Sequence, residues 1–280
     1  MKKLITLIFL VITYSVSAQE LNVMTFNIRL NTATDSLNAW PYRKDKVVSQ
    51  VLFHEAHILG VQEAKPDQMV DLRAMLSRFK STGVGRDDGQ DKGEFSAIFY
   101  DTTRLVILQS KTFWLSSTPD IAGSKGWDAA FPRIVTWAKF RDRKTKKIFF
   151  VFNTHFDHVG TVARRESAQL LKREVNRIAG TTPSLIMGDF NARPADEPIQ
   201  VLLDKNDVLH FVDSKGLSQM PHYGPTGTFN AFRSKEVDDQ PIDYIFTRGR
   251  WKVLRHATIS QTWEGRFASD HFAVWSKLVL

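Results

Sequence analysis

The stretch Ser184-Leu-Ile-Met-Gly-Asp-Phe-Asn-Ala192 decides how the rest of the chain reads. Leu185, Ile186 and Met187 form the short apolar run of a buried strand. Gly188 permits a tight turn or a close approach of another group. Asp189 and Asn191 follow, and on an extended segment alternate side chains share a face. A carboxylate and a carboxamide are therefore expected side by side at a strand end, where the strand holds them and a loop opens them to solvent. A strand closed by an Asx turn would leave the same residues, so the surroundings must arbitrate.

Working outward, other apolar runs end in the same way. Leu21 to Ile28 reads as a strand that twists or stops near Thr25, because Val23 and Phe26 are out of phase, and Asn27 lies where it runs out. His57 to Glu63 is a buried strand ending in a carboxylate, which needs a cation or a basic partner once desolvated. Lys147 to His155 is strongly apolar and ends in Asn153 and His155. Gly160 to Ile178 is a helix with Ala168, Leu171, Val175 and Ile178 on one face, closed by Gly180. Asp243 interrupts the short strand Pro241 to Phe246 against its β propensity, a local conflict that often marks a functional site. Asp270 and His271 open the last strand. Further helices are predicted over Pro41 to Ala56, from Pro66, and around Glu197 to Leu203. Strands then alternate with helices, an α/β layer arrangement. Arg133 begins the strand to Phe140 and is placed to meet a carboxylate or a phosphate.

Composition bounds the chemistry. The chain has 280 residues, 42% hydrophobic and 24% charged, and no cysteine. Disulfides, thiolate metal sites and cysteine nucleophiles are excluded. Lys2 and Lys3, the apolar run Leu4 to Ile12 and Val16-Ser17-Ala18 have the order of a secretory signal peptide, so residues 1–18 are read as one and a periplasmic or secreted protein is expected. No later stretch reads as transmembrane. The formal net charge of +8 falls to +6 once Lys2 and Lys3 leave (8 − 2), an excess that favours anionic ligands. Arg141 to Lys147 reads as an exposed hairpin tip.

If the strands lie side by side, Asn27, Glu63, Asn153, His155, Asp189, Asn191, Asp243, Asp270 and His271 converge on one edge. That set is hard and rich in oxygen, suited to Mg²⁺, Mn²⁺ or Ca²⁺ rather than a structural zinc. Several carboxylates together repel one another unless a cation intervenes. The pattern points to metal-assisted hydrolysis.

Asn27, Gln62-Glu63, Asn153-Thr-His155, Gly188-Asp-Phe-Asn191, Ile242-Asp-Tyr244 and Ser269-Asp-His271 stand in the order found in the endonuclease/exonuclease/phosphatase superfamily, the DNase I-like hydrolases, and the chain resembles that family over residues 19–280 as one domain. It is similar to exported bacterial members and more distantly to the deadenylase-like branch. The resemblance implies a four-layer α/β sandwich, two mixed sheets face to face with helices outside, and Mg²⁺-dependent hydrolysis of a phosphoester. It implies Glu63 as principal metal ligand with Asn27 and Asp270 nearby, and Asp189 as the group that orients or deprotonates water. It further implies Asn191 on the scissile phosphate, His271 oriented by Asp243, and His155 binding phosphate or assisting the leaving group. Arg133, Asn153, Trp127 and Phe229 complete the expected substrate contacts, whereas Phe131 is expected in the core.

The tyrosine and the DNA-gripping loops of the repair enzymes have no counterpart, which argues against abasic-site repair. A phosphodiesterase is favoured over a phosphomonoesterase. A nuclease and a phospholipid or sphingomyelin hydrolase are its forms, and a monomer is expected. A glycosidase using two carboxylates would leave Asn191, Asp243 and His271 idle. A non-catalytic binding module on the same scaffold is the remaining alternative.

Overall fold

A computed structural model describes residues 20–233 and 239–280; the expected signal peptide lies outside them. One sheet contains β1 (Leu21–Asn27), β2 (Ile58–Gln62), β3 (Phe79–Thr82), β4 (Ile98–Asp101), β11 (Lys252–Ile259) and β14 (Ala273–Val279) in the order β11-β14-β1-β2-β4-β3. The other contains β5 (Leu105–Trp114), β6 (Ile134–Asp142), β7 (Ile148–His155), β8 (Ser184–Asp189), β9 (Val212–Asp213) and β10 (Asp243–Arg248) in the order β5-β6-β7-β8-β10-β9. A small hairpin, β12 (Thr262–Trp263) and β13 (Arg266–Phe267), leads into the last strand. Helices α1 (Lys44–Phe53) and α2 (Pro66–Met75) accompany the first sheet, α3 (Thr161–Ala179) and α4 (Glu197–Leu203) the second; α5 (Ser214–Leu217) is a single turn. Both sheets are mixed, since β1 runs parallel to β2 and β7 parallel to β8 while the other pairs are antiparallel.

Three apolar clusters correspond to the three contacts between four layers. Val47, Val51, Met69 and Leu72 pack under the first sheet against Met24, Phe26, Leu59 and Val61. Leu171, Val175, Ile199 and Leu202 pack on the second sheet against Phe150, Phe152, Ile186 and Phe246. Val23, Ile58, Ile98, Phe140, Val151, Leu185, Met187 and Ile245 fill the space between the sheets. Strands covered on both faces read as continuous apolar runs. This also accounts for the out-of-phase pair in β1. Val23 faces the other sheet and Phe26 faces the helices, so the strand continues through Thr25 to Asn27. β5 runs unbroken from Leu105 to Trp114, with one irregularity between Ile107 and Gln109.

The α3 face is built as its spacing requires. Ala168, Leu171 and Val175 are buried, Ile178 packs at the margin, and Gly180 closes the helix at φ +56°. No described helix is long and apolar enough to cross a membrane.

Candidate active site

The site forms where β1, β2, β7 and β8 end and β10 and β14 begin. Its position follows from register. His155 is opposite Asp189, and Asp189 is opposite Asp243, so three strands present their polar residues in one row. Gly188, φ +148°, makes that row tight. A Cβ there would come within 2.0 Å of the Thr154 carbonyl oxygen, so only glycine lets β8 lie so close to β7.

Asn27 joins the two walls. Its amide nitrogen donates to Glu63 Oε1 at 3.1 Å and to Asp189 Oδ2 at 2.9 Å, while its oxygen accepts from the Arg29 backbone N–H at 3.0 Å. Across the cleft, His271 Nδ1 meets Asp243 Oδ2 at 2.9 Å, and its Nε2 is 3.8 Å from Asp189 Oδ2. Asp189 also accepts from the Asn191 backbone N–H at 2.9 Å.

Asn191 does not reach its position by strand alternation. The strand ends at Asp189, and Asn191 takes a left-handed conformation, φ +45°. Its amide nitrogen donates to the Phe156 carbonyl at 3.0 Å, which fixes the orientation of the amide. The same nitrogen therefore donates to His155 Nε2 at 2.9 Å, leaving the imidazole proton on Nδ1.

The electrostatics divide these groups. Burial, reinforced by Asp243, pushes Asp189 up to about 7. Burial opposes charge on His271, yet the Asp243 and Asp189 carboxylates overcome it and hold the ring well above its usual value. Burial, with help from Arg133 and Arg86, keeps His155 well below its own. One histidine is thus a cation and the other a neutral imidazole, on opposite sides of one cleft.

The donor set fits a hard divalent cation. Ligand atoms of Asp189, Asp243 and His271 lie within 4.8 Å of one another. Among the described residues Asp243 Oδ1, which is buried, has no hydrogen-bond partner, and burial raises Asp270 as well as Asp189. Glu63 stands next to them at φ +61°, a strained conformation for a glutamate. Arg29, which the sequence reading passed over, lies 4.0 Å from Glu63 and 3.7 Å from Asp270 and also pairs with Asp35 at 3.0 Å. It supplies part of the positive charge these carboxylates require.

The expected substrate contacts separate. Arg133 is buried, donates to Asp157 at 3.2 Å and meets His158 Nδ1 at 3.0 Å. Its Nη1 has no partner among the described residues, and it lines a small cavity with Glu63, Arg86, Glu94 and His155. Phe229 lies edge-on to His271, ring centres 5.0 Å apart. Trp127 is exposed on the connection between β5 and β6, with no bond to the catalytic groups among the described residues. Asn153 is corrected. It is wholly buried, donating to the carbonyls of Val61 and Ala97 at 2.9 Å and accepting from Gln62 at 2.6 Å. It ties the sheets together beneath the site and has no capacity left for substrate. Phe131 is corrected too. It is 46% exposed, with the Arg86 guanidinium 4.9 Å from its ring and His158 stacked at 6.0 Å. Arg86 came from a loop whose glycines and aspartates masked it; its one signal was an arginine opening Arg86-Asp-Asp-Gly89.

With this geometry in place, the sequence comparisons are specific. Residues 24–271 match the model of the Endonuclease/Exonuclease/phosphatase family, and the chain belongs to that family of phosphoester hydrolases, which use divalent metals. A family structure from Bacteroides vulgatus is 39% identical, with 94% of this chain and 99% of that one covered and a TM-score of 0.89. A mannosyl-6-phosphatase of Bacteroides thetaiotaomicron is 36% identical, with 93% and 100% covered and a TM-score of 0.88. Nocturnin of Drosophila melanogaster is 26% identical over 84% of this chain, which spans 41% of nocturnin's length.

Proposed function

We propose that this protein is an exported, Mg²⁺-dependent phosphoesterase whose substrate is a small phosphorylated molecule of the sugar-phosphate type. The carrying observation is the buried Asp189–Asp243–His271 group beside Glu63, with one carboxylate oxygen unpartnered. A mannosyl-6-phosphatase relative with full coverage moves the preference from diester to monoester. Residues 1–18 support export through their signal-peptide pattern.

Glu63 and Asp270 would hold the metal, with Asp189 facing Glu63 across Asn27, whose amide nitrogen donates to both carboxylates and would orient them. When bound, a divalent cation neutralises charge on phosphoryl oxygens and lowers the pKa of water. The protein's own groups carry the rest. Asp189, poised near neutrality, accepts the proton of the attacking water, as a general base should at working pH. Asn27 and the Asn191 N–H hold that carboxylate in one orientation. Protonated His271, fixed by Asp243, donates to phosphoryl oxygens as charge develops there. Asn191 would give the phosphoryl group the amide N–H that here reaches neutral His155 at Nε2. Arg133 Nη1 offers a further donor to the anion.

The test is hydrolysis of mannose 6-phosphate, p-nitrophenyl phosphate, bis-p-nitrophenyl phosphate, sphingomyelin, DNA and RNA, each with and without chelator. Chelator-sensitive release of phosphate from the monoesters is expected. Turnover confined to diesters would restore the phosphodiesterase reading. Turnover indifferent to chelation would remove the metal.

A further inference from the structure

A second concave site lies away from the catalytic row. Between α1, the Tyr223 loop and the turn from β11 into β12 is a groove of about 640 Å³, within the size range of small-molecule sites. Phe53 is 82% exposed and Tyr223 74% exposed, with Trp263 beside them. A cluster of exposed rings is costly unless something covers it. Among the described residues that line it the groove has no Asp, Glu, Lys or Arg, although 24% of the chain is charged. Burial holds its one histidine, His54, below the usual value and so uncharged near neutrality. Between the rings are carboxamides and hydroxyls, including Gln50 and Gln261. Gln50 is 4% exposed and its Oε1 has no hydrogen-bond partner, a buried acceptor in want of a donor. A second hollow, of about 460 Å³, shares Ser49 and Trp263 and adds Asp45, Lys46, Glu264 and Arg266, whose charges cancel.

We infer that this groove binds a neutral oligosaccharide. Flat rings offer their faces to the C–H faces of sugar rings, and carboxamides and hydroxyls pair with sugar hydroxyls. Lining without charge complements an uncharged ligand and disfavours an acidic peptide or nucleic acid. The adjoining hollow makes room for more than one sugar unit. The proposal does not depend on the phosphoester reading, because its test measures binding and not turnover.

The full chain is titrated by calorimetry with mannotetraose, maltotetraose and cellotetraose. Saturable binding of at least one is expected, insensitive to added salt. Tyr223→Ala and Phe53→Ala, both at exposed rings and both checked by circular dichroism, should each weaken it about tenfold, with hydrolysis of p-nitrophenyl phosphate unchanged. Absence of heat with all the sugars would overturn the proposal, and so would binding unaffected by either substitution. Concentration-dependent dimerisation abolished by Phe53→Asp would overturn it in favour of a second copy.

Discussion

Two ends of the second sheet both bury charge, with opposite results. At the end away from the cleft, Arg104 donates to Asp142 Oδ2 at 2.9 and 2.7 Å, while the backbone N–H groups of Lys144 and Thr145 fill Oδ1 at 2.7 and 3.1 Å. At the cleft, Asp189 is pushed toward neutrality, Asp243 keeps an unpartnered oxygen, and Arg133 keeps an unpartnered nitrogen. Buried charge is common to both. What separates scaffold from site is whether the hydrogen-bonding capacity has been used up.

The sharpest way to break this contrast is at the unfilled end. Asp189→Asn should lower kcat by about 10²- to 10⁴-fold, the usual share of a positioned base, with no fall in melting temperature, because a strained buried carboxylate is removed. Wild-type turnover in that variant would remove Asp189 from the reaction. At the filled end, Arg104→Met strands a buried carboxylate and should cost about 3–5 kcal/mol of stability. Urea denaturation measures it, and kcat per folded molecule should not change.

Asn27 and Asn153 repeat the contrast between identical side chains. Asn153→Ala leaves buried carbonyls unpaired and should cost about 1–3 kcal/mol with little change in kcat. Asn27→Ala should do the reverse. A large kcat loss for Asn153→Ala at full stability would return that residue to the substrate site.

A pH-dependent effect lies outside both ends. Burial lowers His256 to about 3, and its Nδ1 meets His222 Nδ1 at 2.9 Å. The unfolded chain binds this proton more readily than the folded one, so stability is present above about pH 6.5 and falls as pH drops toward 3. The slope is at most about 1.4 kcal/mol per pH unit, read from urea midpoints against pH, and His256→Gln should flatten it.

Much of this was legible in the chain, for particular reasons. Leu185-Ile-Met187 and Ile148 to Phe152 announce strands covered on both sides, and polar residues at their ends announce an edge. Depth along a strand is not legible. Asn153 and His155 share a face by alternation, but Asn153 lies one pleat deeper, beneath β2. Gly60 makes that burial feasible, since a Cβ there would be 2.7 Å from Asn153 Oδ1. Backbone turns were equally hidden, so Asn191 reached the site by a left-handed residue that alternation does not foresee. Arg29 and Arg86 carried no pattern of their own, because a lone arginine gains meaning only when folding brings carboxylates or an empty cavity to it.

Glu63 and Asn27 ride on the first sheet, Asp189 and His155 on the second, and a largely apolar layer that includes Val151, Met187 and Phe140 fills the space between them. That filling is a spacer whose thickness sets the reach from base to metal ligand. Warming that loosens it should therefore silence turnover several degrees before the helices on the outside unwind.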